Sequence, residues 1–166
     1  MTRMTVLQLL PDLHVGGVER GTLEIAAALV RNGHRAIVVS NHGDMVEELI
    51  ASGAEHIALP IGKKALTTLR YVKSLHKIIE REKVDIVHAR SRLPAWLGWL
   101  AIKRINDATR PHWVTTVHGP YSVNRYSKIM LSGEKVIAIS EFIRRYIIDN
   151  YPDIDTNKIE VIHRGV

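Results

Sequence analysis

The amino-acid sequence contains no cysteine. A disulfide framework and a thiolate metal site are therefore excluded, and the composition fits a reducing cytoplasm. Aromatic residues make up only 5% of the chain and no nucleic-acid-binding motif occurs, so nucleic acid is not an expected partner. The longest mostly apolar stretch, LPAWLGWLAI, is about half of what a membrane-spanning helix needs. We expect a soluble, cytoplasmic protein without a signal peptide.

Basic residues outnumber acidic ones, 23 against 17, which gives the chain a formal net charge of +6. The isoelectric point near 9.7 favours an anionic partner, such as a nucleotide or a phospholipid surface. The nine histidines are scattered and lack the spacing of metal ligands, so we expect no metal site.

Short runs rich in Val and Ile alternate with segments of helical periodicity. Continuous apolar runs predict strands that are covered on both faces. The predicted strands are Val6–Leu10, Ala36–Val39, His56–Leu59, Val84–Val87, Trp113–Val117, Val136–Ile139 and Ile159–Ile162. The predicted helices are Val18–Asn32, Asp44–Ser52, Leu66–Glu82, Pro94–Ile105 and Glu141–Asn150. This order predicts an α/β fold with one doubly wound, mostly parallel, Rossmann-like sheet of six or seven strands.

Polar, basic and turn-forming residues follow the predicted strands. Parallel sheets bind ligands outside the carboxyl ends of their strands, so these segments mark the expected site. They read PDLHVGG after the first strand, NHG after the second, HARSR after the fourth, HGPY after the fifth, SE after the sixth and HRG after the last.

The two adjacent glycines, Gly16 and Gly17, lie between the first strand and the first helix. Glycines at such a turn let a ligand approach the backbone, and the helix N-terminus attracts an anion. The pattern is neither G-x-G-x-x-G nor G-x-x-x-x-G-K-[ST], which disfavours a dinucleotide or P-loop site. A tight turn without any ligand is the alternative.

Five motifs occur in order along the chain: GGVERG, VDIVHARSR, TTVHGPY, KVIAISEFIRRYI and IEVIHRGV. Together they resemble the N-terminal domain of family 4 glycosyltransferases with the GT-B fold. The resemblance implies a retaining enzyme that uses a nucleotide-sugar donor and needs no metal or other cofactor. It further implies a saccharide or lipid-linked saccharide acceptor, in bacterial cell-envelope polysaccharide or lipopolysaccharide synthesis.

The resemblance also implies roles for individual residues. His118, which ends the fifth strand, is the implied catalytic histidine beside the reacting sugar. It would position and polarise the reactants, because the donor's own phosphate takes the acceptor proton in a front-face transfer. Gly16 and Gly17 are implied to contact the donor phosphates. For His118, a purely structural role at the strand end is the alternative.

Arg90, Ser91, Arg92 and Tyr121 are the expected acceptor-binding residues. If the chain stays extended after the fourth strand, Arg90 and Arg92 share one face and both guanidinium groups point into the cleft. The alternative places one arginine inward and pairs the other with a surface acid.

The family continues after a V-I-P-N-G-V-D-like segment into a second domain that binds the donor. This chain reads VIHRGV there, with His163 and Arg164 in place of Pro-Asn. We therefore expect residues 1–166 to be the acceptor-side domain alone, without the donor-binding domain and inactive by itself. Two alternatives remain: a non-catalytic module that binds a phosphorylated ligand, and another GT-B-like enzyme such as a nucleotide-sugar epimerase.

Peripheral contact with the inner membrane is a further expectation. In the helix predicted at Leu66–Glu82, the apolar residues lie on one side and the basic residues largely on the other. The apolar side holds Leu66, Leu69, Val72, Ile78 and Ile79, and the basic side holds Arg70, Lys73, Lys77 and Arg81. Trp96 and Trp99 are expected to pack in the core.

Overall fold

A computed structural model describes residues 1–164, which form a single parallel sheet of seven strands with helices on both faces. The strands are β1 (Thr5–Leu9), β2 (Arg35–Ser40), β3 (Glu55–Ala58), β4 (Ile86–Ala89), β5 (His112–Val117), β6 (Lys135–Ala138) and β7 (Ile159–Val161). The α-helices are α1 (Gly17–Arg31), α2 (Val46–Ala51), α3 (Tyr71–Arg81), α4 (Arg92–Ile102) and α5 (Glu141–Asn150). Three short 3₁₀ helices lie at Leu66–Arg70, Ser127–Leu131 and Thr156–Lys158. The predicted α/β, doubly wound fold is confirmed.

The strands lie in the order β3-β2-β1-β4-β5-β6-β7. From β1 the chain proceeds to β2 and β3 on one side, and it then crosses back to place β4 on the other side of β1. In sheets of this kind the ligand binds at such a switch point, outside the carboxyl ends of the strands. The topology therefore predicts a ligand site at the loops after β1 and β4.

The core has two parts, one on each face of the sheet. Residues of α1 and α2 cover β1, β2 and β3 on one face, with Leu23, Ala26 and Leu49 against Ala36 and Val38. The helices α3, α4 and α5 cover the opposite face in a larger cluster. Trp96 and Trp99 are half-buried and pack against this larger cluster, as expected.

Several helix-end signals act as the sequence indicates. Gly33 follows α1 with φ +81°, a conformation that glycine adopts without strain. Ser140 caps α5, because its Oγ accepts a hydrogen bond of 3.2 Å from the Ile143 N–H. Pro94 lies in the first turn of α4, where its missing N–H costs no helical hydrogen bond.

The fourth strand lies two residues later than predicted. Val84 still completes the end of α3, since its N–H donates to the Ile79 carbonyl, and Lys83 turns the chain with φ 50°. The strand then continues through His88 and Ala89, which pair with Gln8 and Leu9 of β1. His88 thus belongs to the sheet interior and not to the loop after the strand.

The third helix also begins later than predicted. The periodic pattern starts at Leu66, yet Leu66–Arg70 is a 3₁₀ turn and α3 begins at Tyr71. Across residues 1–164, no helix combines the length and the apolar character that crossing a membrane requires.

Candidate functional site

Three connections meet at the carboxyl edge of the sheet around the switch point: those after β1, β4 and β5. The first two are joined directly, because the Arg90 N–H donates to the Leu9 carbonyl over 3.0 Å. We call this edge the rim. Among the residues expected there, Arg90 and His118 line one cavity, and Gly17 lies beside Arg164, which lines the same cavity.

Two side chains, those of Glu19 and Arg164, lie over the backbone of the glycine loop. Gly16 precedes α1 in an extended conformation, and no side chain caps the helix. A Cβ atom on Gly16 would lie 2.2 Å from Oε2 of Glu19, whose carboxylate folds back over the loop. A Cβ atom on Gly17 would lie 2.6 Å from Nη1 of Arg164. The paired glycines therefore provide space for one acidic and one basic group above a helix N-terminus.

Arg90 is buried at the rim, with only 3% of the residue exposed. Its Nη1 donates to Oε1 of Gln8 over 3.3 Å, and Gln8 is itself fixed by a bond from Nε2 to the Thr22 carbonyl. Its Nη2 would lie 3.0 Å from a Cβ atom on Gly21. Desolvation, together with the charge of Arg164, lowers the pKa of Arg90 to about 10. The group is still a cation at neutral pH, and its Nε has no hydrogen-bond partner within the described chain.

His118 follows β5 and turns the chain at the rim. Burial, then the charges of Arg90 and Arg164, lower the pKa of the imidazole to about 3, so the ring is neutral at physiological pH. Its Nε2 is sealed from solvent and lacks a partner among residues 1–164. A neutral imidazole with a free nitrogen can donate or accept one hydrogen bond to a bound hydroxyl group.

A second histidine, His88, lies behind this site and was not singled out from the sequence. It is buried in β4, and its Nε2 lies 2.6 Å from Oγ1 of Thr116. Burial, then the charges of Arg90 and His118, lower its pKa to about 3. The sequence does hold a signal for His88. It lies two residues before Arg90, and residues two apart on a strand share a face, so His88 could have been predicted to lie next to Arg90.

Arg92 and Arg90 have separate partners. Arg92 begins α4 after the extended residue Ser91, and its Nη1 donates to Oγ of Ser127 over 3.1 Å. Its guanidinium lies 5.0 Å from the ring centroid of Tyr121. The expectation that both arginines point into one cleft assumed an extended chain, and it is wrong because the helix starts at Arg92. Nor does Arg92 pair with a surface acid within residues 1–164, which was the alternative.

Tyr121 connects the two arginine environments. Its hydroxyl accepts a long hydrogen bond, 3.4 Å, from the His118 N–H, while its ring lies under Arg92. Desolvation raises the pKa of the Tyr121 hydroxyl, although the nearby charges of Arg92 and Arg90 oppose this effect. Tyr121 therefore remains protonated at neutral pH, with its hydroxyl as the acceptor for the His118 N–H and its ring against Arg92.

A cavity of about 290 Å³ opens between α1 and the end of the sheet. Gly21 and Glu24 form one wall, Arg90 and His118 lie at the rim, and isoleucines of the last two strand ends contribute an apolar floor. A larger cavity, about 590 Å³, lies between residues 123–132 and 150–158 and contains none of the predicted site residues. The smaller cavity is therefore the candidate site, because Arg90 and His118, the residues that carry the unpaired polar atoms, line it.

The remaining rim charges are mostly paired. Arg20 forms an ion pair with Glu48, and Nδ1 of His14 lies 3.1 Å from Asp44. Within residues 1–164, no three His, Asp or Glu side chains come together as metal ligands would. Independence of metal ions stays a prediction.

The fold and its switch point define the N-terminal half of a GT-B glycosyltransferase. The sequence model described as Glycosyltransferase Family 4 matches residues 15–166, and the chain belongs to this family. No curated protein sequence matches the chain.

Solved structures agree with this assignment. The chain is similar to a glycosyltransferase from Rickettsia africae, with 40% identity and a TM-score of 0.86, over 100% of this chain and 44% of that one. It is also similar to Anabaena HepE, solved in complex with UDP and glucose, with 16% identity and a TM-score of 0.75, over 99% and 45%. The lipopolysaccharide outer core galactosyltransferase WaaB has 15% identity and a TM-score of 0.68, over 98% and 46%. The chain thus spans less than half the length of these proteins, and the last two likenesses concern the fold.

Proposed function

We propose that this chain is the acceptor-side domain of a retaining glycosyltransferase that moves a sugar from a nucleotide-sugar to a saccharide or lipid-linked saccharide. The observation that carries the proposal is the pair of unpartnered polar atoms at the rim, Nε of Arg90 and Nε2 of His118. Buried polar atoms normally have partners, so two unpartnered ones on residues that line a cavity support ligand binding there. Membership of family 4 supports sugar transfer as the chemistry.

The proposed roles are those that the family resemblance implies for these residues. The open N-terminus of α1 at Gly16 and Gly17 would receive the donor phosphates. Arg90, Ser91, Arg92 and Tyr121 would hold the acceptor. The neutral ring of His118 would form a hydrogen bond with a sugar hydroxyl and orient it.

In the proposed transfer, the bond between the sugar C1 and the phosphate oxygen breaks, and the acceptor oxygen bonds to C1 from the same face. The departing phosphate oxygen takes the acceptor proton. Because His118 stays neutral, it polarises and positions the reactants instead of storing that proton. No metal or other cofactor has a part in this scheme.

The proposed setting is bacterial cell-envelope polysaccharide or lipopolysaccharide synthesis, in the cytoplasm at the inner face of the membrane. The named activity of WaaB, a neighbour in fold, supports this setting. HepE, which was solved with UDP and glucose, supports a nucleotide-sugar donor.

Donor consumption tests the proposal with the full-length protein. His118→Ala should lower turnover by about 100-fold or more, as expected for a positioned catalytic histidine. His112→Ala is the matched control, because His112 begins the same strand and its side chain is 74% exposed. The 166-residue chain alone should show no measurable turnover, since holding donor and acceptor together supplies roughly 7–11 kcal/mol.

Two results would contradict the proposal. Turnover by His118→Ala equal to that of His112→Ala would leave His118 with a structural role only. Brisk turnover by the 166-residue chain would show that the acceptor side and the donor side are both within it.

A further inference from the structure

A second arginine, Arg164, lines the cavity at the rim together with Arg90. It follows β7, and it was not among the residues expected at the site. It also stands where the family segment has asparagine, so it is a feature of this chain. Arg90 is buried, whereas Arg164 is exposed. The cavity therefore has one buried and one accessible cation.

The two guanidinium groups flank one point beside α1. A Cβ atom on Gly21 would lie 3.0 Å from Nη2 of Arg90 and 3.7 Å from Nε of Arg164. Nη1 of Arg164 also lies over Gly17, the first residue of α1, where a Cβ atom would be 2.6 Å away. Gly17 and Gly21 are four residues apart and share a face of the helix. Both cations thus lie along the glycine face of its N-terminal end.

These two cations have no acidic partner within residues 1–164. Glu24 lines the same cavity and Glu19 lies over the glycine loop, but neither carboxylate forms an ion pair with them. Arg90 donates only a long bond to a neutral amide, and its Nε lacks a partner among the described residues. The buried guanidinium therefore has unused hydrogen-bonding capacity.

The two charges also repel each other. Desolvation and then the charge of Arg164 lower the pKa of Arg90, so the second cation adds to the cost of the buried one. An anion that contacts both groups would remove this repulsion and supply the missing acceptor.

The charge and geometry of the donors indicate which anion suits them. Arginine presents its N–H groups as a planar fork that matches phosphate and carboxylate oxygens. The N-terminus of α1, which no side chain caps, adds backbone N–H groups and a partial positive charge. Two full charges and this partial charge exceed what one carboxylate neutralises. A phosphate dianion balances them and offers a separate oxygen to each guanidinium.

We propose that Arg90 and Arg164 form one binding site for a phosphate dianion at the N-terminus of α1, with Arg164 supplied by the segment after β7. The inference rests on the proposed function for its setting, because Gly17 is a proposed contact of the donor phosphates and Arg90 of the acceptor. The phosphate belongs either to the donor diphosphate or to a phosphorylated acceptor, and the experiment distinguishes these sources.

Side-chain NMR of the 166-residue chain tests the site directly. The Nε–H signals of the arginines are followed while inorganic phosphate is added at constant ionic strength. We expect the signals of Arg90 and Arg164 to move together with one midpoint, and that of Arg110, which pairs with Asp107, to stay in place. Acetate, which carries a single charge, should bind at least about tenfold more weakly.

Substitutions measure the part that Arg164 has in binding. Arg164→Gln should weaken phosphate binding by about tenfold or more, as expected for a hydrogen bond between charged groups. Arg164→Lys keeps the charge but loses the planar fork, so it should bind with intermediate affinity. Arg145→Gln is the matched control, because Arg145 is exposed in α5, does not line the cavity and has no ion pair within residues 1–164. Thermal unfolding of each variant verifies that the fold is intact.

Two phosphorylated probes identify the source of the phosphate. Uridine diphosphate represents the donor, and glucose 6-phosphate represents a phosphorylated acceptor. The probe that represents the true source should bind more tightly than inorganic phosphate and should lose the same factor of affinity in Arg164→Gln. Either assignment supports the two-arginine site.

Two outcomes would overturn the proposal. In the first, Arg164→Gln binds phosphate as tightly as Arg145→Gln does, and the Arg90 signal still moves as in the unchanged chain. In the second, acetate binds as tightly as phosphate, so that the site does not select a dianion. Neither measurement involves sugar transfer. Failure here would leave the transferase proposal standing, and full turnover by His118→Ala would leave the phosphate site standing.

Discussion

The two edges of the sheet differ in how many of their charged side chains form ion pairs. At the amino edge, where the strands begin, charged side chains form pairs across neighbouring elements. Arg35 at the start of β2 contacts Glu55 of β3 over 2.6 Å and Glu82 at the end of α3 over 2.7 Å. His112 lies 2.8 Å from Glu134, which precedes β6.

At the carboxyl edge the rim leaves charged and polar groups without such partners. Arg90 is buried beside a second arginine, Arg164, and its strongest contact is a neutral amide. His118 has an unpaired nitrogen and is kept neutral by the same two cations. Both edges contain the same kinds of residue, so the difference lies in how they are partnered.

This contrast separates stability from function within one sheet. Paired charges at the amino edge stabilise the fold, and they require no ligand as a further partner. Unpaired buried groups at the rim lower the stability of the isolated chain. Proteins keep such destabilising groups at sites where a bound ligand supplies the missing partners. The comparison can be tested by substitutions at each edge.

The largest effect is expected at Arg90. In the full-length protein, Arg90→Met should lower turnover by roughly 10- to 150-fold, the value of one or more hydrogen bonds to a charged group. The free energy of unfolding should change by no more than about 1 kcal/mol, because relief of a desolvated charge offsets the loss of the long bond to Gln8. Donor consumption and urea denaturation measure the two quantities.

Arg110→Met is the control for this substitution, since Arg110 lies before β5 at the opposite edge and pairs with Asp107. It should keep full turnover. If Arg90→Met kept its turnover and lost several kcal/mol of stability, Arg90 would belong with the structural pairs of the amino edge.

The next effect concerns pH and the buried His88. Its pKa is 6.5 in the unfolded chain and about 3 in the fold, so between these values only the unfolded chain binds the proton. The free energy of unfolding should therefore fall as the pH falls below about 6.5, by up to about 1.4 kcal/mol per pH unit for each such histidine. His118 adds a similar contribution with the same sign.

His88→Gln should remove about half of the slope that His88 and His118 contribute, while His56, whose pKa burial also lowers, keeps its own contribution. Urea denaturation between about pH 6.5 and 5 measures it, above the range in which Glu55 and Glu82, whose pKa values are lowered, take up protons. His112→Gln is the control for the substitution itself, because the His112 side chain is 74% exposed. An undiminished slope in His88→Gln would show that its burial does not govern the titration.

Much of this architecture could be predicted from the sequence. The seven strands, the parallel order and the gathering of Gly16, Gly17, Arg90 and His118 at one edge follow from apolar runs and from what comes after them. These features depend on local pattern, and parallel sheets add one general rule about their carboxyl ends. The family model matches residues 15–166, which include most of the rim segments.

The errors arose where a hydrogen bond, the start of a helix or the pairing of two strands overrides the simple periodic pattern. Periodicity places Leu66 on a helix, but the hydrogen bond from Thr68 to the Lys63 carbonyl holds a 3₁₀ turn instead. Alternation predicts that Arg90 and Arg92 share a face, but the helix that begins at Arg92 ends the alternation. The environment of His88 depends on its pairing with β1, which no single segment reveals.

The smallest effect is expected at the amino edge. Arg35→Ala removes bonds to two carboxylates, and we expect the free energy of unfolding to fall by about 1–2 kcal/mol with unchanged turnover. Lys135→Ala is the matched control, because its pair with Glu160 is about half exposed on both sides and is worth roughly 0–1 kcal/mol. The larger value for Arg35 comes from its partly buried network, in which the Glu82 side chain is 16% exposed. Urea denaturation of both variants at neutral pH gives the difference. Equal losses would mean that the network adds nothing to an ordinary surface pair, and reduced turnover in Arg35→Ala would mean that the two edges are not separate in function.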